Sequence, residues 1–392
     1  MSPDAKRLAL AIIIASSLLF SPTETEAQSA FYQAPDAEIA GAPGTIIRQE
    51  AMLGAAAGAS AYRVLYRSTA PDGKPIAVSG VIILPAGTPP ANGWPIVAWA
   101  HPTTGIVPRC APSLAIFIFQ QIAGSRELLE QGYAIAATDY PGLGTAGPHP
   151  YLVGESEARA VIDSVRAARS FPGVGNSNRY AVWGHSQGGQ ASLFTGMISK
   201  TYAPELELVG VAAAAPATDL ATLMTDDLNT SGGRNLTAMT AWSWSRVYGA
   251  PIASIIAPAA MTTVDFLATE CIESPFDILV RARTSEPLAQ RFLTVGNPAA
   301  IEPWKSLLAR NTPGILSREI PVFLAQGSAD GLVRPQVTMD YMQRLCREGS
   351  SVRMLVMPNV NHGFAGRDSA DEAVSWMADR FAGRPAPSDC RR

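Results

Sequence analysis

Short runs of apolar, often β-branched residues alternate along most of the chain with longer segments whose apolar residues recur at helical spacing. This alternation is typical of a mostly parallel sheet flanked by helices, which is an α/β fold. The stretch before the first run, residues 30–61, has no clear period and is expected to be rich in loops. The predicted strands are 76–84, 94–100, 134–138, 180–183, 208–214, 321–325 and 352–357, and the predicted helices are near 114–131, 156–170, 188–199, 335–347 and 370–381.

The alternation stops after Pro216 and resumes near Ile320. The segment between them is rich in Ala, Met, Thr and Trp, and we expect a mostly helical insertion over residues 217–310. Such an insertion would cover the carboxyl edge of the sheet, where open α/β sheets bind their ligands. Its apolar residues form either the insertion's own core or an apolar substrate surface. The core of the fold would then comprise residues 28–216 and 311–392.

The N-terminus has the pattern of an export signal. Lys6 and Arg7 precede an apolar run over residues 8–20, and a polar stretch with small residues continues to Ala27. The run is too short to span a bilayer. We therefore expect residues 1–27 to be a signal peptide and the protein to be secreted or periplasmic, with an uncleaved anchor as the alternative.

The composition predicts a folded chain with a large core. Of the 392 residues, 47% are hydrophobic and 16% are charged, which argues against disorder. The formal net charge is -3, and the body of the chain contains no basic run, whereas nucleic-acid binding depends on clustered positive charge. We expect no nucleic-acid partner.

Four cysteines in an exported chain predict two disulfides, although four cysteines allow three connectivities. We favour a bond between Cys110 and Cys271 and another between Cys346 and Cys390. The second bond would tie the C-terminal tail back to a helix. Four free thiols are the alternative. No Cys or His pair has the spacing of metal ligands, so no metal site is expected.

The strongest chemical signal is the sequence GHSQG at residues 184–188, which lies between a predicted strand and a predicted helix. This is the nucleophile-elbow pattern, in which glycines allow a tight strand-to-helix turn and Ser186 is lifted above the sheet edge. The start of the helix also favours developing negative charge. We therefore predict Ser186 as a catalytic nucleophile.

A serine hydroxyl needs a general base, and the base needs an orienting carboxylate, in the chain order Ser, Asp or Glu, His. His362 is the sole histidine after the elbow and follows the final predicted strand, so we predict it as the base. Asp330 follows the strand at 321–325 and is the predicted acid. Other carboxylates fit less well because they lie within a helix, follow His362 or lack a position at a strand end: Asp340, Asp368, Asp371, Asp219 and Glu348.

Stabilisation of a tetrahedral oxyanion requires two N–H donors. The backbone of Gln187 is the first candidate, and the loop HPTTG at residues 101–105 should supply the second. Pro102 has no N–H, so Thr103 and Thr104 both remain candidates. The histidines within these two motifs are expected to be structural hydrogen-bonding residues: His101 and His185.

With these residues identified, the chain resembles the secretory lipase family, the Candida lipase A-like enzymes, and more closely its bacterial esterase and lipase branch. The similarity extends over roughly residues 45–390. The sequence departs from the bacterial pattern at Pro102, where relatives often carry glycine, and Thr104 takes the place of the fungal acidic oxyanion residue. The matching runs are WAHPTTG at 99–105, CAPS at 110–113, TDYPGLGT at 138–145, HPYL at 149–152, the elbow, and NHG at 361–363.

The resemblance implies an α/β-hydrolase core, a helical cap or lid over residues 217–310, and no cofactor. It also implies hydrolysis of carboxylic esters, including acylglycerols, and supports the two favoured cysteine pairs. The predicted function is therefore a serine ester hydrolase, an esterase or triacylglycerol lipase, that forms an acyl-enzyme from a small-molecule or lipid ester. The cap would contact lipid interfaces transiently, and no protein partner is expected. A serine peptidase or a non-catalytic binding protein is the alternative.

Overall fold

A computed structural model describes residues 30–56, 58–226 and 228–390 of the chain. The predicted signal peptide lies outside the described residues. Within them, the chain is organised around a nine-stranded sheet. The strands are β1 Ile46–Met52, β2 Ser60–Thr69, β3 Pro75–Leu84, β4 Ile96–Ala100, β5 Ala134–Thr138, β6 Arg179–His185, β7 Glu207–Ala214, β8 Val322–Gly327 and β9 Val352–Met357.

Helices of six or more residues connect or cover these strands. They are α1 Ser125–Glu130, α2 Gly154–Ser170, α3 Gln187–Tyr202, α4 Leu220–Asp226, α5 Ser231–Val247, α6 Met261–Thr269, α7 Pro275–Thr284, α8 Trp304–Arg310, α9 Pro335–Arg347 and α10 Ala370–Phe381. Shorter α-helices span Asp36–Ile39, Ile118–Gln121 and Ala365–Asp368. Short 3₁₀ helices span Pro108–Cys110, Pro112–Leu114, Ile252–Ser254, Pro258–Ala260, Glu286–Ala289, Pro298–Ala300 and His362–Phe364.

The strand order across the sheet is β1-β2-β3-β5-β4-β6-β7-β8-β9. The pairs from β5 to β9 are parallel, and β1, β2 and β3 join antiparallel at one end. Parallel strands need crossover connections, which the helices supply. The carboxyl ends of β6, β8 and β9 therefore meet at one edge of the sheet.

Apolar cores cover both faces of the sheet. Successive residues of β4 alternate between the two: Ile96 and Ala98 pack with α2, α3 and α9, whereas Val97 and Trp99 pack with α1 and α10. All five residues of β4 are buried, as expected for a central strand that is covered on both sides. This explains why the central strands read as continuous apolar runs in the sequence.

The expectation of loops over residues 30–61 is wrong, because β1 and the start of β2 lie there. β1 is an edge strand that pairs with β2 alone, and its sequence IIRQEAM places polar residues where only one side is covered. The single helix predicted near 114–131 is divided into shorter pieces. The helix is interrupted at Gly124, whose φ is 75°. A Cβ there would lie 3.0 Å from Val374 of α10, so the chain turns at a glycine where it packs closely against α10.

The segment between β7 and β8 contains α4 to α8 and has an apolar core of its own. Trp244 and Trp304 are fully buried there, with ring centroids 6.4 Å apart. Tyr151, Leu152 and Val333, which precede β6 or follow β8, join the same cluster. Among the described residues, no helix is long and apolar enough to cross a membrane.

The structure joins the four cysteines in the two pairs that the sequence analysis favours. Cys110 is bonded to Cys271 across 161 residues, and Cys346 is bonded to Cys390 across 44 residues. The first bond connects the loop after β4 to the connection between α6 and α7. The second connects α9 to the C-terminal tail.

We expect removal of either disulfide to lower the free energy of unfolding by roughly 2–5 kcal/mol, because the unfolded chain regains loop entropy. The double variant Cys110→Ser/Cys271→Ser should lose about 1 kcal/mol more than Cys346→Ser/Cys390→Ser, since it opens the longer loop. Chemical denaturation of both variants and the wild type provides the comparison. A larger loss for the second pair would contradict the loop-entropy account.

Candidate active site

Ser186 lies at a sharp turn between β6 and α3. Its φ of 58° and ψ of -116° form a backbone conformation that costs about 1–3 kcal/mol for a residue with a side chain. A Cβ on Gly184 would lie 2.2 Å from Gly188 O, and a Cβ on Gly188 would lie 1.8 Å from Ala100 O. The turn therefore requires glycine at both positions, because backbone atoms occupy the space of any side chain.

His362, in the loop after β9, connects Ser186 to Asp330. Its Nε2 lies 2.8 Å from Ser186 Oγ, and its Nδ1 lies 2.8 Å from Asp330 Oδ2. An ionised carboxylate can only accept hydrogen bonds, so Nδ1 carries the hydrogen and Nε2 accepts from the serine hydroxyl. The three side chains predicted from the sequence thus form one continuous hydrogen-bonded chain.

Asp330 is buried just beyond the end of β8. Its Oδ1 accepts from the backbone N–H groups of Leu332 and Val333, both at 2.9 Å, and its Oδ2 also accepts from Gln326 Nε2 at 3.1 Å. Burial raises the pKa of Asp330, but the hydrogen bond and charge of His362 and the two backbone donors outweigh it, so the pKa lies below its ordinary value. The carboxylate is therefore ionised at neutral pH.

The loops that carry the aspartate and the histidine are joined by backbone hydrogen bonds. Ala329 N donates to Val360 O at 3.0 Å, and Ser328 N donates to Met357 O at 2.9 Å. These bonds fix the two loops relative to each other. The acid and the base therefore keep their spacing without depending on their own side-chain contact.

The two remaining predicted histidines support loops. Burial, followed by the charge of His362, lowers the pKa of His185 to about 3, and its Nε2 lies 2.9 Å from His362 O, to which it donates. Burial lowers the pKa of His101 to about 4, and its ring nitrogens lie 2.6 Å from Pro102 O and 3.1 Å from Asp139 O. Both side chains are uncharged at neutral pH.

The predicted oxyanion donors lie on two neighbouring segments. Gln187 is the first residue of α3, so no preceding helical carbonyl accepts from its backbone N–H. The end of β4 and the start of the following loop pack against this turn, because a Cβ on Gly188 would lie 1.8 Å from Ala100 O and 2.7 Å from His101 O. Within that loop, Thr103 Oγ1 lies 3.0 Å from Tyr151 Oη, and Thr104 Oγ1 donates to Cys110 O at 2.9 Å. The hydroxyl hydrogen of Thr104 is thus donated to Cys110 O, whereas either hydroxyl can donate in the Thr103–Tyr151 pair. The predicted oxyanion donors are the backbone N–H groups of the two threonines.

An apolar pocket opens beside Ser186. Its cavity has a volume of about 30 Å³, room for about two water molecules and far below the several hundred Å³ of a small-molecule site. Its walls come from the turn, from α4, α5 and the segment just before α4, and from the segments that precede α2 and follow Asp330. Neither Thr103 nor Thr104 forms part of them. The lining residues are Tyr151, Leu152, Ser186, Gln187, Ala217, Leu220, Leu223, Met224, Leu236, Thr237, Thr240 and Val333.

A buried polar cluster behind the turn was not anticipated from the sequence. The side chain of Gln187 donates to Glu157 of α2 and lies against His149. A sequence signal for Glu157 does exist, because it shares a helical face with the buried residues Val161, Ser164, Val165 and Ala168. A carboxyl group on the apolar face of a predicted helix is uncommon and points to a specific role.

Chemically, the arrangement offers a hydroxyl whose proton can pass to an imidazole that an ionised carboxylate orients. A helix N-terminus and an apolar pocket lie on either side of the hydroxyl. Within the described ranges, no group of three or more His, Cys, Asp or Glu side chains is positioned to hold a metal ion.

The sheet, the turn at its centre and the loops after β8 and β9 define an α/β hydrolase. The X-ray structure of Candida antarctica lipase A has a similar fold, with a TM-score of 0.77 at 18% sequence identity, over 92% of this chain and 87% of that one. The fold class predicted from the sequence is therefore confirmed.

Sequence comparison identifies the family. The family model described as secretory lipase matches residues 120–389, more than half of the chain, so the chain belongs to the secretory lipase family. A secreted triacylglycerol lipase of Malassezia globosa is 26% identical over 403 residues, which cover 92% of this chain and 83% of the relative. A probable inactive lipase of Mycobacterium tuberculosis is 26% identical over 390 residues, which cover 91% and 82%.

Membership in this family establishes an exported carboxylic-ester hydrolase. The predictions of family, enzyme class and secreted or periplasmic location are thereby confirmed.

Proposed function

We propose that this enzyme hydrolyses apolar acyl esters, acylglycerols among them, with Ser186 as nucleophile, His362 as general base and acid, and Asp330 as the orienting carboxylate. The observation that carries the proposal is the hydrogen-bonded chain of these three side chains, which ends at the mouth of an apolar pocket. A non-catalytic role would not require this chain to be unbroken.

In the acylation step, the ester carbonyl lies over Ser186 and its acyl chain enters the pocket, whose narrow cavity must widen by movement of α4 and α5 to hold it. His362 Nε2 takes the serine proton as Oγ attacks the carbonyl carbon. The ionised Asp330 stabilises the imidazolium that forms. The backbone N–H of Gln187, with that of Thr103 or Thr104, accommodates the oxyanion.

Collapse of the tetrahedral intermediate requires a proton on the leaving alcohol, and His362 supplies it. Water then enters, His362 takes one of its protons, and the resulting hydroxide attacks the acyl carbon. Release of the fatty acid restores the serine hydroxyl. No step requires a cofactor.

The division into domains is part of the proposal. Residues 217–310 act as a cap between the core segments 28–216 and 311–392, because α4 and α5 supply pocket walls while the three catalytic candidates come from outside the cap. The apolar walls favour an acyl chain over a polar substituent. Triacylglycerol is the substrate named for the Malassezia globosa relative, and the pocket chemistry supports the same class here.

The cap also exposes an apolar surface, here called the cap patch. It consists of Phe266 on α6 and Phe276, Ile278, Leu279 and Val280 on α7, each 39% or more exposed. Arg281 holds the two helices together because its Nη1 donates to Leu267 O at 2.8 Å and to Glu270 O at 2.7 Å. Exposed apolar side chains on a short helix suit transient contact with a lipid interface, and we assign that role to the cap patch.

The first test is the hydrolysis of p-nitrophenyl esters from acetate to palmitate and of emulsified triglyceride. We expect Ser186→Ala to abolish turnover, by about 10⁶-fold in kcat, and Asp330→Asn to lower kcat by about 10⁴-fold because the histidine loses its orienting anion. Asp340→Asn is the matched control, since Asp340 lies exposed on α9, where it accepts a hydrogen bond from Gln336, and it should retain wild-type rates. A wild type without activity on any ester would favour a peptidase or a binding protein instead.

A second test addresses the acyl pocket. Ala217→Leu adds three carbon atoms to its wall and should lower kcat/KM for palmitate at least tenfold relative to butyrate, because each lost methylene contact in an apolar site changes discrimination roughly tenfold or more. The control is Ala221→Leu, the same substitution on α4 at a residue that does not line the pocket. It should keep the wild-type chain-length profile. An unchanged chain-length profile in Ala217→Leu would exclude this pocket as the acyl site.

A third test addresses the cap patch. Phe276→Ser/Leu279→Ser removes apolar area from α7, so binding to phospholipid vesicles and the rate on emulsified triglyceride should fall about tenfold or more. kcat/KM for soluble p-nitrophenyl butyrate should stay at the wild-type value. The control is Leu53→Ser, which removes a side chain that is 95% exposed on the turn after β1. Equal losses on soluble and emulsified substrates would contradict the assignment.

A further inference from the structure

A buried carboxyl group lies directly behind the residue that follows Ser186. Glu157 is fully buried, and its Oε1 accepts from Gln187 Nε2 at 2.8 Å and from Leu152 N at 2.9 Å. Gln187 Nε2 also lies 2.9 Å from His149 Nε2. The Gln187 side chain is thus held between a carboxyl group and an imidazole, while its backbone N–H is a proposed oxyanion donor.

The tautomer of His149 fixes the direction of these bonds. His149 Nδ1 lies 2.8 Å from Pro141 O, and a carbonyl oxygen can only accept, so Nδ1 carries the hydrogen and Nε2 is an acceptor. Burial lowers the pKa of His149 to about 3, so the ring is neutral. Both amide hydrogens of Gln187 are therefore donated, one to each neighbour, and the side chain has a single orientation.

Glu157 differs from an ordinary structural carboxylate. Its Oε2 and the side-chain oxygen of Gln187 are buried without a hydrogen-bond partner, and no described cation forms a salt bridge with Glu157. Asp163, further along α2, is fully satisfied by contrast: it accepts from Ser68, Tyr202 and Arg166. A buried carboxyl group with one oxygen left without a partner costs stability, and such groups cluster at functional sites.

The surroundings of Glu157 carry little charge at neutral pH. The titratable groups that interact with it are tyrosines from three segments, and burial raises the pKa of each above its ordinary value: Tyr140, Tyr151 and Tyr248. On its own helix, Glu155 and Arg159 pair with each other. Two described cations act on those tyrosines: the charge of Arg281 opposes the rise in the pKa of Tyr151, and that of Arg310 opposes the rise in the pKa of Tyr248. Ionisation of Glu157 would therefore add an unbalanced negative charge.

We propose that Glu157 is a positioning residue which, through the side chain of Gln187, holds the backbone N–H after Ser186 in place for the oxyanion, and that loss of the Glu157 proton lowers kcat. The proposal rests on the proposed function, because it requires an oxyanion at Gln187. Glu157 contacts no reacting atom in this scheme and acts through Gln187.

The direction of the pH effect follows from the charge. Burial raises the pKa of Glu157 to about 8, with the donors Gln187 and Leu152 opposing it. Below that pH the group is neutral. Above it, a carboxylate lies behind the amide that must stabilise a second negative charge, so the transition state is disfavoured relative to bound substrate. The free energy of unfolding also depends on this group. Because the pKa of Glu157 is higher in the folded chain than in the unfolded chain, its contribution to stability is lost as the pH rises from about 4 to about 8.

The test compares Glu157→Gln with the wild type between about pH 6 and about pH 10, with kcat and KM measured by pH-stat on a soluble short-chain ester. Wild-type kcat should fall about tenfold across the alkaline half of this range with KM unchanged, and Glu157→Gln should abolish that fall because it keeps the acceptor oxygen and cannot ionise. The same profile in both proteins would overturn the proposal.

Asp163→Asn is the matched control. Asp163 is also buried on α2, and burial raises its pKa, so its variant should change the pH dependence of the melting temperature as Glu157→Gln does. It does not touch the elbow, however, and should keep the wild-type alkaline fall in kcat. A loss of the fall in both variants would mean a general effect of α2 on the fold and would refute positioning.

Glu157→Leu tests positioning without ionisation. It removes the acceptor of Gln187, so kcat should lie about tenfold or more below the neutral-pH wild-type value at every pH, while KM stays near the wild-type value. Glu157→Gln keeps the acceptor and should have the wild-type rate at neutral pH. If Glu157→Leu does not fold, the pH profiles of Glu157→Gln and Asp163→Asn still test the positioning role of Glu157. An active wild type with an inactive Ser186→Ala and indistinguishable pH profiles would refute this inference alone, whereas a wild type inactive on all esters would refute the proposed function as well.

Discussion

The arrangement of the site depends on how closely the turn at Ser186 packs against the end of β4. Because Gly188 has no side chain, the start of α3 lies directly against the carbonyl of Ala100. The helix N-terminus and the loop after β4 therefore reach the same point, where the two proposed oxyanion donors would have to converge. Parallel pairing then brings the ends of β8 and β9 to the same edge, and with them the aspartate and the histidine.

Burial sorts the ionisable groups around the serine. It holds three of the four histidines of the chain uncharged, namely His101, His149 and His185. Asp330 keeps its charge because four hydrogen bonds compensate for desolvation. In the proposed mechanism, proton transfer at neutral pH therefore falls to the one histidine that lies between the serine and the aspartate. The neutral rings serve as hydrogen-bonding supports for the loops and for the turn.

Much of this could be predicted from the sequence because the relevant signals are local. Central strands are covered on both faces and so appear as apolar runs, and the positions of Ser186, Asp330 and His362 after such runs brought them to one edge. β1 was missed because an edge strand with one covered side need not be apolar. The break at Gly124 depends on a contact with α10, which no local pattern records.

Glu157 illustrates a different limit. Its helical position gave a signal, but the reason for a buried carboxyl group lies in the Gln187 side chain, which comes from another element. The second oxyanion donor is a similar case, because the sequence pattern fits the backbone N–H of Thr103 and that of Thr104 equally well. Such features depend on three-dimensional packing between segments distant in sequence.

The division of labour between the strand ends and the segment 217–310 has an evolutionary consequence. The serine, histidine and aspartate belong to the frame of the sheet, whereas much of the pocket wall comes from α4 and α5. Substitutions in those two helices can therefore accumulate without disturbing the hydrogen bonds from Asp330 to Ser186. With this pocket as the proposed acyl site, a lineage built on this frame can change the esters that it accepts while the three catalytic candidates stay the same.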